Sequence, residues 1–128
     1  MTDQILSGRR VLVVEDEMLI LMTIEDMLAD LGCKCVIAAA TVDKALDLVD
    51  AQTFDVAMLD VNLNGNNSFP VANTLAARGI PFLFSTGYSD HNLREGYPDR
   101  PVLRKPFHHN ELVAILRRLL LADRPDEA

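Results

Sequence analysis

The chain has 128 residues, of which 49% are hydrophobic and 24% charged, and these values favour one globular domain over a disordered or low-complexity chain. The 19 acidic and 12 basic residues give a net charge of -7, which disfavours nucleic acid as a partner. The apolar run at residues 18–22 is far too short to span a membrane, and no export signal precedes it.

The first half of the chain alternates predicted strands and helices. Residues 11–14 form an apolar, β-branched run typical of a strand covered on both faces, and this run ends at the acidic residues 15–17. Apolar residues at helical spacing then predict a helix over about 17–31. Residues 34–39 predict a second strand, which is followed by a helix that Thr41 caps.

Two cysteines, Cys33 and Cys35, lie near the second predicted strand. They lie two positions apart, and this spacing suits neither a disulfide framework nor a four-ligand zinc site. We therefore predict reduced thiols. In the absence of a secretory signal, the simplest location is the cytoplasm.

The middle of the chain contains a third strand, a polar loop and a helix. Residues 54–59 predict the strand, which stops at Asp60. The asparagine-rich run 62–67 predicts a loop, and Ser68 is a candidate cap for a helix that extends to about residue 78.

The remaining part of the chain repeats the alternation. Residues 81–85 predict a fourth strand that ends at Thr86, and residues 101–104 predict a short fifth strand. Residues 88–100 contain Gly, Pro and several charges, so any helix there is short and weakly specified. A helix over about 109–122 follows, with a polar tail at 123–128.

This alternation predicts an α/β fold, with one parallel sheet and helices on both faces. In such sheets the ligand site lies beyond the carboxyl ends of the strands. The residues that follow the strands are chemically distinctive: Glu15, Asp16, Asp60, Thr86 and Lys105. We therefore expect three acids, a hydroxyl and a lysine to meet at one edge.

Such an edge is suited to phosphoryl transfer. Close carboxylates repel one another, and a hard divalent cation bound by oxygen atoms, Mg²⁺, relieves the repulsion. Asp60 is the natural nucleophile because it ends the central strand, whereas Glu15 and Asp16 are an adjacent pair suited to a metal. Lys105 and the Thr86 hydroxyl would stabilise the charge of the transferred group.

Each residue also has an ordinary structural explanation. Asp16 can cap the first helix, Asp60 can be a turn residue, and Thr86 can simply end a strand. Lys105 can be a solvated surface charge. These explanations must all hold together, in strand order and at one sheet edge, and we regard that coincidence as the weaker hypothesis.

Four segments resemble the receiver domains of two-component response regulators: VLVVEDE at 11–17, DVAMLDVNL at 55–63, FSTGY at 84–88 and LRKPF at 103–107. The resemblance covers about residues 9–122. It implies a flavodoxin-like (βα)5 three-layer sandwich with sheet order 2-1-3-4-5, an order for which receivers are a standard example. It also implies a cis Lys105–Pro106 bond.

The same resemblance implies the roles of the site residues. Asp60 would accept a phosphoryl group from a histidine kinase, and Thr86 and Lys105 would contact that group. The Mg²⁺ ligands would be Glu15, Asp16, Asp60 and the backbone carbonyl of Asn62. The protein would catalyse only its own phosphorylation and dephosphorylation, and would not be an enzyme in the ordinary sense.

One position departs from the family pattern. Most receivers carry Tyr or Phe three residues before the lysine, where this chain has Val102. The run at 81–88 instead resembles the FATGUY subgroup, whose members commonly serve kinases of the HWE and HisKA2 types. We expect Thr86 and Tyr88 to form the switch and to pass the signal into residues 88–100, although Tyr88 could also be only a packing ring.

The expected protein is a single-domain receiver at 9–122 with an N-terminal extension at 1–8. Its donor would be a sensor histidine kinase or a histidine phosphotransfer protein. It would act as a relay or a phosphate sink, and its downstream partner would bind the face built from residues 88–100, 101–104 and 109–122. Two alternatives remain. One is an aspartate-nucleophile phosphohydrolase, a class whose sequence pattern has a second aspartate at the position of Asn62. The other is a phosphate-independent pseudo-receiver.

Overall fold

Five parallel strands form the central sheet of this protein, and four helices in the described residues cover its two faces. The computed structural model describes residues 4–63, 65–87 and 100–122. The elements are β1 (Arg10–Val14), α1 (Met18–Asp30), β2 (Cys35–Ala39), α2 (Val42–Ala51), β3 (Val56–Asp60), β4 (Asn62–Leu63), β5 (Asn66–Asn67), α3 (Phe69–Ala77), β6 (Phe82–Thr86), β7 (Val102–Arg104) and α4 (His109–Ala122).

The strand order of the main sheet is β2-β1-β3-β6-β7, and every neighbouring pair is parallel. This is the predicted 2-1-3-4-5 order once the separate β4–β5 pair is set aside. The fold class is therefore confirmed. The central strand β3 is buried along its whole length, as its continuous apolar run predicts for a strand with helices on both sides.

Alternation of side chains along the strands divides the interior into two apolar clusters. One cluster packs the sheet against α2 and α3 and includes Leu12, Leu59 and Phe84. The other packs the opposite face against α1 and α4 and includes Val13, Met58 and Leu116. None of the helices in the described residues has the length and apolar character needed to cross a bilayer.

The polar segment after β3 differs from its prediction. Residues 62–63 pair with residues 66–67 as the short antiparallel strands β4 and β5, and Gly65 has a φ of 91°, where the sequence predicted only a loop. Ser68 occupies the N-cap position of α3 but makes no capping hydrogen bond with its side chain. Asn67 Oδ1 accepts the Phe69 N–H at 2.6 Å instead, so the cap is displaced by one residue.

Other local predictions fit the structure. Thr41 Oγ1 accepts the Lys44 N–H at 3.1 Å and caps α2. Cys33 and Cys35 are free thiols. Leu6, which lies in the predicted N-terminal extension, is fully buried in the α1–α4 cluster, and its N–H donates to the Leu31 carbonyl at 3.0 Å.

Candidate phosphoacceptor site

The strands end at one level because of their register. Val14 pairs with Leu59 across β1 and β3, Asp60 pairs with Ser85 across β3 and β6, and Thr86 pairs with Arg104 across β6 and β7. The residues that follow β1 and β7 and those that end β3 and β6 therefore reach the same edge of the sheet, as parallel topology requires.

Three carboxylates meet at this edge. Glu15, Asp16 and Asp60 each offer an oxygen, and these oxygens lie within 4.8 Å of one another. Glu15 and Asp60 are only 2% and 6% exposed, whereas Asp16 is half-buried. An all-oxygen set of this size, open on one side, fits a hard divalent cation such as Mg²⁺ better than a soft metal.

Lys105 brings a positive charge into the same cluster. Its Nζ donates to Glu15 Oε1 at 2.8 Å and to Asp60 Oδ2 at 3.2 Å, and its side chain is 13% exposed. The backbone N–H of Lys105 donates to the Thr86 carbonyl at 2.8 Å, which fixes the start of the segment after β7. The Lys105–Pro106 peptide bond is cis, as the family resemblance implies.

Burial and charge change the protonation of this cluster. Burial and, second to it, the neighbouring Glu15 charge raise the pKa of Asp60 to about 6 against the opposing effect of Lys105. Burial disfavours the charged form of Lys105, but its bonds to Glu15 and Asp60 outweigh that effect and raise the Lys105 pKa. The lysine is therefore a fixed cation at neutral pH.

Asp16, Asp60 and Lys105 line an open cavity of about 430 Å³. Thr86, which is 5% exposed, and Asn62 also line this cavity. The Asn62 N–H lies 3.4 Å from Asp60 Oδ1, and Asn62 Oδ1 accepts the Gly65 N–H at 2.8 Å. The structure thus brings together every predicted site residue except Tyr88, which lies outside the described residues.

Sequence reasoning missed one residue at the mouth of the cavity. Glu17 is exposed and lines both this cavity and an adjacent apolar groove of about 520 Å³ beside α1. Its backbone N–H donates to Glu15 Oε2 at 3.1 Å. Its position directly after the Glu15–Asp16 pair was the available signal, but the sequence could equally place its side chain away from the site.

A doubly wound sheet with acids and a lysine at its carboxyl edge is the arrangement of a phosphate-signalling domain rather than of a structural module. The family model described as "Response regulator receiver domain" matches residues 11–117. The chain belongs to this family, which serves signal transduction in two-component systems.

The chain is similar to several characterised proteins. It is 30% identical over 109 residues to the transcriptional regulatory protein PdtaR of Mycobacterium tuberculosis, and this match covers 82% of the chain and 53% of PdtaR. The chain therefore spans about half the length of the curated relatives it matches.

The matches to solved receiver structures cover nearly the whole length of those structures. The solution structure of SdrG from Sphingomonas melonis Fr1 is 47% identical with a TM-score of 0.79, covering 88% of this chain and 96% of SdrG. SdrG in its BeF3-activated conformation is 44% identical, with a TM-score of 0.75 and coverage of 94% and 99%. The receiver domain of the sensor histidine kinase PA1611 from Pseudomonas aeruginosa PAO1, which has magnesium in its active-site cleft, is 27% identical, with a TM-score of 0.77 and coverage of 89% and 98%.

Proposed function

We propose that this chain is a phosphoacceptor in a two-component phosphorelay and takes a phosphoryl group on Asp60. The observation that carries the proposal is the contact of Lys105 Nζ with both Glu15 and Asp60 at the carboxyl edge of the sheet. The donor would be the phosphohistidine of a sensor kinase, of the HWE or HisKA2 type, or of a histidine phosphotransfer protein.

Mg²⁺ is the proposed cofactor. Glu15, Asp16 and Asp60 would hold it together with the backbone carbonyl of Asn62, and the compact all-oxygen cluster supports this assignment. When bound, the ion offsets the negative charge of the phosphoryl oxygens. The magnesium in the cleft of the PA1611 receiver domain is consistent with the same assignment.

The transfer itself exchanges one bond for another. A carboxylate oxygen of Asp60 forms a bond to phosphorus while the bond from phosphorus to the donor imidazole breaks, and its electron pair stays on the leaving nitrogen. The Lys105 ammonium and the Thr86 hydroxyl would contact the transferred oxygens. Their burial at the same edge supports these roles, since a fixed cation stabilises developing charge without reorganisation.

The proposed output begins beside Thr86. Contact of Thr86 with the phosphoryl group would be transmitted through Thr86 and Tyr88 to residues 88–100, most of which lie outside the described residues, and to the face that includes residues 101–104 and 109–122, where a downstream protein would bind. The existence of a BeF3-activated conformation of SdrG supports a conformational response in this group of receivers. The receiver unit at 9–122 would act in the cytoplasm, as a relay or as a phosphate sink.

Acetyl phosphate with Mg²⁺ tests this function. We expect one phosphate per chain, stable in acid and labile in base, detected by mass spectrometry and by phosphate-affinity electrophoresis. Asp60→Asn should abolish it, whereas Asp47→Asn, which removes an exposed acid from α2, should not. Repeated turnover of phosphate esters would indicate a hydrolase, and absence of any label would indicate a phosphate-independent module.

A further inference from the structure

Glu17 lies beside the phosphoacceptor site but has no role in the proposed phosphoryl transfer. Its side chain is exposed and lines the mouth of the phosphoacceptor cavity. It is not one of the three residues whose oxygens cluster within 4.8 Å, and it forms no ion pair with any residue that the structure describes. It is therefore a carboxylate without a local counterion at the entrance to the site.

The other charges of the cavity are offset. Lys105, the only cationic side chain among the described residues that line the cavity, is shared between Glu15 and Asp60. A divalent cation bound by the carboxylate cluster would offset the remaining charge of that cluster. The Glu17 charge stays uncompensated in either case, so an anionic donor approaching Asp60 meets a repulsive field.

We propose that Glu17 is a specificity-determining residue that disfavours small dianionic phosphodonors. This inference rests on the proposed function of Asp60. A protein donor that carries a basic side chain near its phosphohistidine can pair with Glu17, and the adjacent apolar groove, which Glu17 also lines, leaves room beside the cavity for such a partner. A free acyl phosphate carries only negative charge and cannot pair with Glu17.

The size of the effect follows from Coulomb's law. For a unit charge and a dianion roughly 8 to 10 Å apart in water, the repulsion slows the reaction about fourfold to sixfold. A donor with one negative charge fewer is slowed only about twofold at the same distance. Salt reduces both effects, since charges at the surface are screened over about 10 Å at 0.1 M ionic strength.

The test compares two small donors at low ionic strength with saturating Mg²⁺. Acetyl phosphate is a dianion at neutral pH, whereas phosphoramidate carries one negative charge fewer. We expect Glu17→Gln to accelerate phosphorylation of Asp60 by acetyl phosphate about fivefold and by phosphoramidate about twofold. Added salt should accelerate the reaction of the original protein with acetyl phosphate more than that of the variant.

Two controls isolate the position of the charge. Asp26→Asn removes an exposed acid from α1, the helix whose N-cap residue is Glu17, at a position that does not line the cavity, and should leave both rates within about a factor of 1.5. The Mg²⁺ dissociation constant of Glu17→Gln, measured calorimetrically, should rise by no more than about sixfold, the same Coulomb effect acting on a divalent cation. Loss of a residue that orients a metal ligand would cost roughly 10-fold or more.

The inference is overturned if Glu17→Gln leaves the acetyl phosphate rate unchanged at low salt, accelerates both donors equally, or weakens Mg²⁺ binding more than tenfold. An equal gain in Asp26→Asn would also overturn it, since net charge rather than position would then act. Failure of the original protein to react with either donor would instead contradict the proposed function itself.

Discussion

Asp60→Asn should stabilise the metal-free protein at neutral pH, even though it removes the proposed phosphoacceptor. The Asp60 carboxylate is 6% exposed, beside Glu15, and its pKa is raised from 3.8 to about 6. Asparagine has nearly the shape of the protonated acid and carries no charge. Lys105 keeps its bond of 2.8 Å to Glu15 in the variant, so the cation is not left alone.

The magnitude follows from linkage between protonation and folding. The folded state binds the Asp60 proton more tightly than the unfolded state, so stability falls as pH rises between 3.8 and about 6, and the loss is complete above that range. The difference, 6 - 3.8 = 2.2, corresponds to about 3 kcal/mol at roughly 1.4 kcal/mol for each pKa unit. At pH 8 the free energy of unfolding of Asp60→Asn should therefore exceed that of the original protein by about 3 kcal/mol.

Urea unfolding in EDTA measures this difference. With a dependence of about 2 kcal/mol per molar urea, the midpoint of Asp60→Asn should rise by roughly 1.5 M at pH 8 and approach that of the original protein below pH 4. Asp47→Asn, an exposed acid on α2, should change stability by less than about 0.5 kcal/mol. A variant no more stable than the original at pH 8, or a gain independent of pH, would refute the reasoning.

Three further outcomes are expected from the same structure. Ser68→Ala should raise the free energy of unfolding by about 1 kcal/mol in urea, because Ser68 Oγ is buried and has no hydrogen-bond partner among the residues that the structure describes; a loss of stability would contradict this. Leu6→Ala should lower it by about 2 to 4 kcal/mol, since Leu6 is fully buried, and an unchanged midpoint would show that the N-terminal segment does not contribute to the core. Mg²⁺ at a hundredfold excess over its dissociation constant should add about 2.7 kcal/mol, and Asp16→Asn should require far more Mg²⁺ for the same gain in melting temperature.

Much of the fold could be predicted from local sequence patterns. Continuous apolar runs identified the strands of the main sheet, because strands with helices on both faces have no polar side. The polar segment after β3 was predicted less well. Its asparagines can form either an open loop or the β4–β5 pair, and only packing of the chain decides between them. Competition between neighbouring capping groups likewise placed Asn67, not Ser68, at the start of α3.

The site residues were predictable because strand ends are visible in the sequence and a parallel sheet brings them to one edge. Leu6 carried no such signal, since a single leucine outside a periodic run has no predicted partner until α1 and α4 are packed beside it.

The sequence by itself determined the α/β class, the order in which acids, hydroxyl and lysine follow the strands, and the family of the chain. Only the tertiary structure decided which atoms meet: that Lys105 is shared by Glu15 and Asp60, and that Glu17 remains at the cavity mouth without an ionic partner among the described residues. The physical reason is that spacing along the chain fixes which residues lie at an edge, whereas distances between side chains from different strands depend on register, burial and charge.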